Sequence, residues 1–143
     1  MEKKFNKYRY LGAVHPETTK FWEPAVLTML IDIDECIRPW YVPRWTLNTI
    51  YDISHKKEKA TNWYWNQVLV SFTSEAYISQ IKSKFATLRV YGIFSDKVQE
   101  IIKIAEEKCD NTCENCGTHG ASHVMIKGWV TNLCIKCKED SKK

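Results

Sequence analysis

No stretch of this chain stays apolar for long. The longest such run, Ala25-Val-Leu-Thr-Met-Leu-Ile31, has seven residues, far short of the about 20 that cross a bilayer, so a soluble protein is expected. Nor does charge of one sign accumulate: 21 Lys and Arg stand against 17 Asp and Glu, a formal balance of +4. That field is too weak to imply nucleic-acid binding without other evidence. No secretory leader is expected, because Met1-Glu-Lys-Lys-Phe-Asn-Lys7 is charged and no apolar segment follows it. A reducing, cytoplasmic setting is the expectation. Glycine and proline number only five and four, and no internal repeat or low-complexity tract is present. What remains is an ordinary globular composition, 44% apolar and 27% charged over 143 residues, which suits one domain with a small appended module.

Cysteine, by contrast, is patterned. Cys113-Glu-Asn-Cys116 and Cys134-Ile-Lys-Cys137 are two C-x2-C pairs separated by seventeen residues. Each pair closes a tight knuckle that turns both sulfurs inward, and two knuckles at this separation complete the tetrahedron that Zn²⁺ prefers. Gly117 suits the positive-φ turn of a knuckle. Two disulfides are the alternative, but without a leader paired C-x2-C motifs favour metal ligation. Four thiolates fill the coordination sphere, so the expected cofactor is one structural Zn²⁺ held by Cys113, Cys116, Cys134 and Cys137. Four thiolates and one Zn²⁺ lower the charge balance by two, to about +2. Cys36 and Cys109 are left over. Cys109 ends a helical pattern, and a semi-buried free thiol is expected there rather than a ligand.

Periodicity outlines the rest. Lys7–Val14 reads as a first strand. Glu23-Pro24 opens a helix that Pro39 stops, and Pro43–Ile53 carries a second helical stripe. Trp63–Phe72 is β-branched and aromatic, so it reads as a strand with a helix as runner-up. Ala76–Lys82 is ambiguous, Thr87–Ile93 alternates as a strand, and Ser95-Asp96 caps a helix over Lys97–Cys109. His123–Leu133 reads as a hairpin turning near Lys127-Gly128, followed by a helical tail over Lys136–Lys143. The expected architecture is α+β: a small mixed core domain over 1–110 and a zinc-binding module over 111–143 packed on it. Knuckle, hairpin and C-x2-C opening a helix is the order of a treble clef or a zinc ribbon. The zinc would act as a clasp that holds the Trp129 hairpin against the helix ending at Cys109.

The run Gln80-Ile-Lys-Ser-Lys-Phe-Ala-Thr-Leu-Arg-Val-Tyr91 resembles a family of small bacterial and bacteriophage proteins. These carry a Q-I-K-x-K-F-G-x-L-R-F-Y run, a helix ending near A-E-x-x-S, then C-x2-C-G and a G-W-x-x-x-L-C close. Here the later motifs are Ala105-Glu106, Cys113-Glu-Asn-Cys116-Gly117 and Gly128-Trp129 through Leu133-Cys134, so the likeness covers roughly residues 40–138. Ala86 stands where the family usually has Gly, and Cys109 where it often has Ser. The family is functionally uncharacterised. The resemblance implies the zinc module and a bacterial or phage source, and no activity.

Function therefore rests on the remaining side chains. Lys82, Lys84 and Arg89 are cations beside a turn, and Tyr91, Trp63 and Trp65 are faces on which a base could stack, the combination that phosphate and single-strand recognition needs. The plainer reading is a half-exposed sheet edge whose lysines lie over core aromatics. Lys56, Lys57 and Lys59 read as a solvated helix end. A second function class is a protein-interaction module, such as a phage-encoded inhibitor of a host or defence protein, docking through Trp22, Trp40, Tyr41 and Trp45. A third is an HNH-like nuclease, since His119 and His123 lie between the knuckles. His123-Val-Met-Ile-Lys127 lacks the paired histidine, however, and the six residues after Cys137 are too few for the metal-binding helix of such an enzyme. No nucleophile elbow, phosphate loop or H-E-x-x-H is present. The expectation is a non-catalytic protein that binds nucleic acid or a phosphorylated nucleotide, in the host cytoplasm if phage-encoded.

Overall fold

The computed structural model describes residues 2–54, 64–65, 67–71 and 74–141. Its elements, in order, are helices α1 (Glu2–Asn6), α2 (Glu23–Ile37) and α3 (Arg44–Ser54), a hairpin of β1 (Ala76–Lys84) and β2 (Thr87–Phe94), and helix α4 (Asp96–Asp110). A second hairpin of β3 (Ser122–Ile126) and β4 (Trp129–Leu133) then leads into α5 (Ile135–Ser141). The fold is mixed helix and sheet, with the four-cysteine cluster at its C-terminal end.

One core unites the helices with the first hairpin. Val26, Leu30 and Ile33 line the inner stripe of α2, Val98, Ile102 and Ala105 that of α4, and both meet Ile78, Ile81 and Leu88 of the hairpin. Trp22 lies at the centre, fully buried, with its indole N–H donating to the Thr112 carbonyl at 3.2 Å. It therefore cannot dock a partner, as the aromatic-surface reading required. A smaller cluster of Cys113, Leu133, Cys134 and Cys137, with Ala121, Val124 and Ile126 against it, forms separately.

Two sequence expectations change. Residues 7–14 form no strand: Arg9–Leu11 is a single 3₁₀ turn, after which Gly12 and Ala13 run briefly alongside β1, the Ala13 N–H reaching the Ile78 carbonyl at 2.9 Å. Gly12 has φ +116, and a Cβ there would stand 2.2 Å from the Ile78 oxygen, so close backbone passage and not strand pairing is what this stretch is built for. In the expected strand Trp63–Phe72, residues 64–65 and 67–71 are helical. Trp65, Val68 and Leu69 share one face against the core, a helical spacing that burial selects over β propensity. Trp63 lies outside the described residues. Ser95 precedes α4 as expected, yet its hydroxyl makes no capping bond. The helix start is held instead by backbone bonds, Ser95 N–H to the Glu75 carbonyl and Gln99 N–H to the Ser95 carbonyl.

Phe85 and Ala86 turn the first hairpin with φ of 53° and 61°, the left-handed pair that two-residue hairpin turns demand and that Gly occupies without steric cost. Ala86 therefore carries strain where the resembled family has glycine. We expect Ala86→Gly to stabilise the fold by about 0.5–1 kcal/mol, read as a small rise in melting temperature. A fall would show that the buried Ala86 methyl contributes more than the turn strain costs.

Candidate metal centre and basic hairpin face

The first knuckle is a hydrogen-bonded loop. Gly117 N–H donates to the Cys113 carbonyl at 3.0 Å and Cys113 N–H to the Thr118 carbonyl at 2.8 Å. Gly117 takes φ +80, and a Cβ there would press to 2.8 Å from the Phe21 ring, so glycine is needed for the turn and for packing the knuckle on the main core. The second pair stands where β4 runs into α5, and the Lys138 N–H closes that first turn onto the Cys134 carbonyl at 2.9 Å.

The two knuckles bring all four sulfurs within 4.8 Å of one another. The Cys116 and Cys134 sulfurs stand 3.6 Å apart, close to the about 3.8 Å edge of a tetrahedron with metal–sulfur bonds of about 2.3 Å. Four soft donors at this spacing fit a tetrahedral thiophilic cation.

The surroundings favour thiolate at Cys116 and Cys113. The Thr118 hydroxyl, 3.0 Å from Cys116 Sγ, is the main cause that draws this thiol down to about 6. Burial alone would raise Cys113, but backbone N–H groups of Cys134, Asn115 and Cys116 outweigh it and lower this thiol. Asn115 reaches Cys137 Sγ with its amide at 3.4 Å and pulls that thiol down. The neighbouring sulfurs, Cys134 foremost, push it the other way, up to about 12. Crowding of this kind is what a divalent cation relieves, since it replaces the shared protons.

Asn132, fully buried, ties the site to the core. Its amide donates to the Cys109 and Asp110 carbonyls at 3.1 and 2.9 Å, and its backbone N–H reaches Glu114 Oε2 at 2.7 Å. Glu114 N–H returns a bond to the Asn132 carbonyl at 2.8 Å, and Thr19 Oγ1 donates to the Glu114 carbonyl at 3.0 Å. This asparagine joins the second hairpin to the end of α4. Trp129 does not, for it is 77% exposed at the hairpin tip. Nothing in the sequence flagged Asn132, which follows another polar residue, Thr131, in a short strand.

Cys109 lies fully buried in the main core, where burial, followed by Asp110 and Glu106, pushes its thiol up to about 12. Cys36 is exposed on α2. His123 Nε2 stands 3.7 Å from Asp110 Oδ1, and His119 is an exposed residue bridging Thr112. Among the described residues the four cysteines are the only cluster of metal-ligating side chains.

The first hairpin gathers the predicted cations. Lys82 faces Arg89 across the strands and Lys84 faces Thr87, so these side chains share the face turned away from Ile81 and Leu88. Lys82 Nζ lies 5.5 Å from the Tyr91 ring and Lys84 Nζ 5.6 Å from that of Phe85. Tyr77, Phe85, Tyr91 and Ile93 are exposed along the same hairpin. Trp65 is not part of this face, being half-buried against the core with its edge to Tyr64 at 5.3 Å. Carboxylates stand nearby: Glu17 accepts from the Gln80 amide at 3.4 Å, and Glu106, lifted by burial, is lowered in turn by Arg89. Neither forms an ion pair with the three cations among the described residues.

No helix among the described residues is long and apolar enough to cross a membrane. No protein-family model, curated protein or solved structure matches the chain at a significant level.

Proposed function

We propose that this is a non-catalytic binding protein that holds single-stranded nucleic acid along the exposed face of the β1–β2 hairpin. Its C-terminal cysteine cluster, in the knuckle–hairpin–helix order of a treble clef, would be kept by one structural Zn²⁺. The observation that carries the reading is the cross-strand register. Lys82 sits opposite Arg89 with Tyr91 beside them, and the aromatics near the lysines are exposed rather than core. The snorkelling alternative needs those rings buried. A two-stranded face offering three cations and three aromatic rings matches the two needs of a single strand, phosphate neutralisation and base stacking.

Three phosphate contacts on a single strand predict that the logarithm of affinity falls with the logarithm of salt with a slope of about −2. A labelled oligonucleotide followed by fluorescence anisotropy between 50 and 200 mM salt would then lose roughly 15-fold. Lys82→Ala, Lys84→Ala and Arg89→Ala should each flatten the slope, and Tyr91→Ala should weaken binding by about 1–3 kcal/mol if a base stacks there. Binding that ignored salt, or survived the triple variant intact, would sink the proposal.

The second reading, a protein partner, is favoured by one observation. Trp40 is 92% exposed and its edge meets the exposed Tyr41 at 5.7 Å, and Trp45, at the start of α3, is exposed as well. Such rings serve as interface anchors. Capture of a single protein at all salt concentrations, lost in Trp40→Ala, would support it over nucleic acid.

A further inference from the structure

A cleft of about 550 Å³ opens between the 3₁₀ turn at Arg9 and the start of α3. It is lined by Lys7, Arg9, Arg38, Arg44, Trp45 and Asn48, with no carboxylate among its walls. These residues come from three separate parts of the chain, and the three arginines and Asn48 are each held by specific contacts. Asn48, buried on α3, accepts from Tyr10 N–H at 3.2 Å and donates to the Lys7 carbonyl at 2.8 Å, which fixes the backbone carrying Lys7 and Arg9. Arg9 is bidentate to Asp52 at 2.8 and 2.7 Å. Arg38 donates through Nε to Asp34 at 3.1 Å and through Nη1 to the Val42 carbonyl at 2.7 Å, leaving its Nη2 without a protein acceptor among the described residues. Arg44 lies over the Tyr8 ring at 4.8 Å. Its guanidinium has no carboxylate partner among the described residues, and neither does the exposed Lys7 ammonium.

Asp34 and Asp52 thus balance two of four cations from outside the cavity, and two positive charges remain uncompensated on its walls. Four cations converging on one concavity repel one another, so the arrangement is favourable when an anion occupies it. The volume falls within the range of small-molecule sites, and Trp45 adds an aromatic wall beside the donors.

We propose that this cleft binds a nucleoside phosphate, with Lys7, Arg44 and the free Nη2 of Arg38 on the phosphate and the base against Trp45. The site shares no residue with the β1–β2 face, so it stands whether or not the hairpin holds a strand. Isothermal titration of the full chain with AMP, GMP, CMP, UMP and inorganic phosphate tests it. At least one nucleotide should bind more tightly than inorganic phosphate. Lys7→Glu, a surface change expected to leave the melting temperature unaltered, should lower that affinity at least about 10-fold, as should Arg44→Gln. Trp45→Ala should weaken the nucleotide about 10-fold while leaving inorganic phosphate unchanged. Oligonucleotide binding measured on the Lys7→Glu protein reports the hairpin separately. The proposal is overturned if no nucleotide binds at millimolar concentration, if none exceeds inorganic phosphate, or if Lys7→Glu and Arg44→Gln bind as the parent does.

Discussion

Removing the metal should unfold residues 111–141 while the main core stays folded. The second cluster consists of four cysteines with Leu133, Ala121, Val124 and Ile126 around them, too little apolar area to stabilise a unit of this size unaided. Metal–thiolate bonds at the proposed site would supply the difference, on the order of 10 kcal/mol for structural zinc in peptides near neutral pH. The core does not share this dependence, because Trp22, Leu30, Ile78 and Leu88 bury one another without help from the sulfurs. The expected result is one metal per chain by elemental analysis. Stripping it should collapse the amide resonances of the second hairpin, with most helical circular dichroism retained. The contacts across the junction, Trp22 to Thr112 and Phe21 to Gly117, should loosen together with the module. Cobalt substitution should give the thiolate charge-transfer and tetrahedral bands of a four-sulfur site. Cys113→Ser and Cys134→Ser should abolish stoichiometric binding, whereas Cys36→Ser and Cys109→Ala should leave it at one. A stripped protein whose second hairpin kept dispersed resonances would refute the idea that metal holds the module. Acidification works in the same direction as chelation, since protons compete for the thiolates.

Loss of Asp34 should be the most costly removal of a buried polar side chain in the main core. This carboxylate, 2% exposed, accepts from the Tyr10 hydroxyl and from Arg38. It therefore joins the N-terminal turn to the end of α2 and, through Arg38 and the Val42 carbonyl, to the segment entering α3. Asp34→Ala leaves a buried phenol without its acceptor and a half-buried guanidinium without its counter-ion. Breaking a buried pair from one side costs about 3–5 kcal/mol, and the lower end applies because the Arg38 side chain keeps 24% of its surface in water. A drop in melting temperature of about 10 °C is expected. Tyr10→Phe, which removes only the donor, should cost about 1–2 kcal/mol, and the double variant should cost less than the sum because the two share one contact. A loss below about 1 kcal/mol for Asp34→Ala would mean that apolar packing alone positions this corner. Burial first, then Asp34, raise the Tyr10 phenol above its ordinary range. A group whose folded pKa is raised contributes stability that is complete below its unfolded pKa. That contribution should therefore be lost as pH rises above about 10.

What the chain determined by itself was local. The four ligands follow from C-x2-C spacing, because a knuckle is closed by residues five apart or fewer and needs no distant contact to orient its sulfurs. Helices α2, α3 and α4, the turn at Lys127-Gly128 and the strand Thr87–Phe94 follow from apolar period and from Pro or Gly at their ends. Tertiary structure decided the rest. Residues 7–14, 64–65 and 67–71 carry strand-favouring side chains, but a strand needs a partner, and at these places the core offered a groove for a turn and for a helical face instead. Register decided that Lys82, Arg89 and Tyr91 share one surface, since a shift of one residue would have turned β1's lysines inward. The aromatics divided in a way no composition foretells: Trp22 is at the centre of the core, while Trp40 and Trp129 are in solvent. The cleft of Lys7, Arg38 and Arg44 belongs wholly to the fold. Lys7 stands more than thirty residues before Arg38 and Arg44 in sequence, and only the packing of the N-terminal turn against α2 and α3, anchored by Asp34 and Asn48, brings their charges to one place.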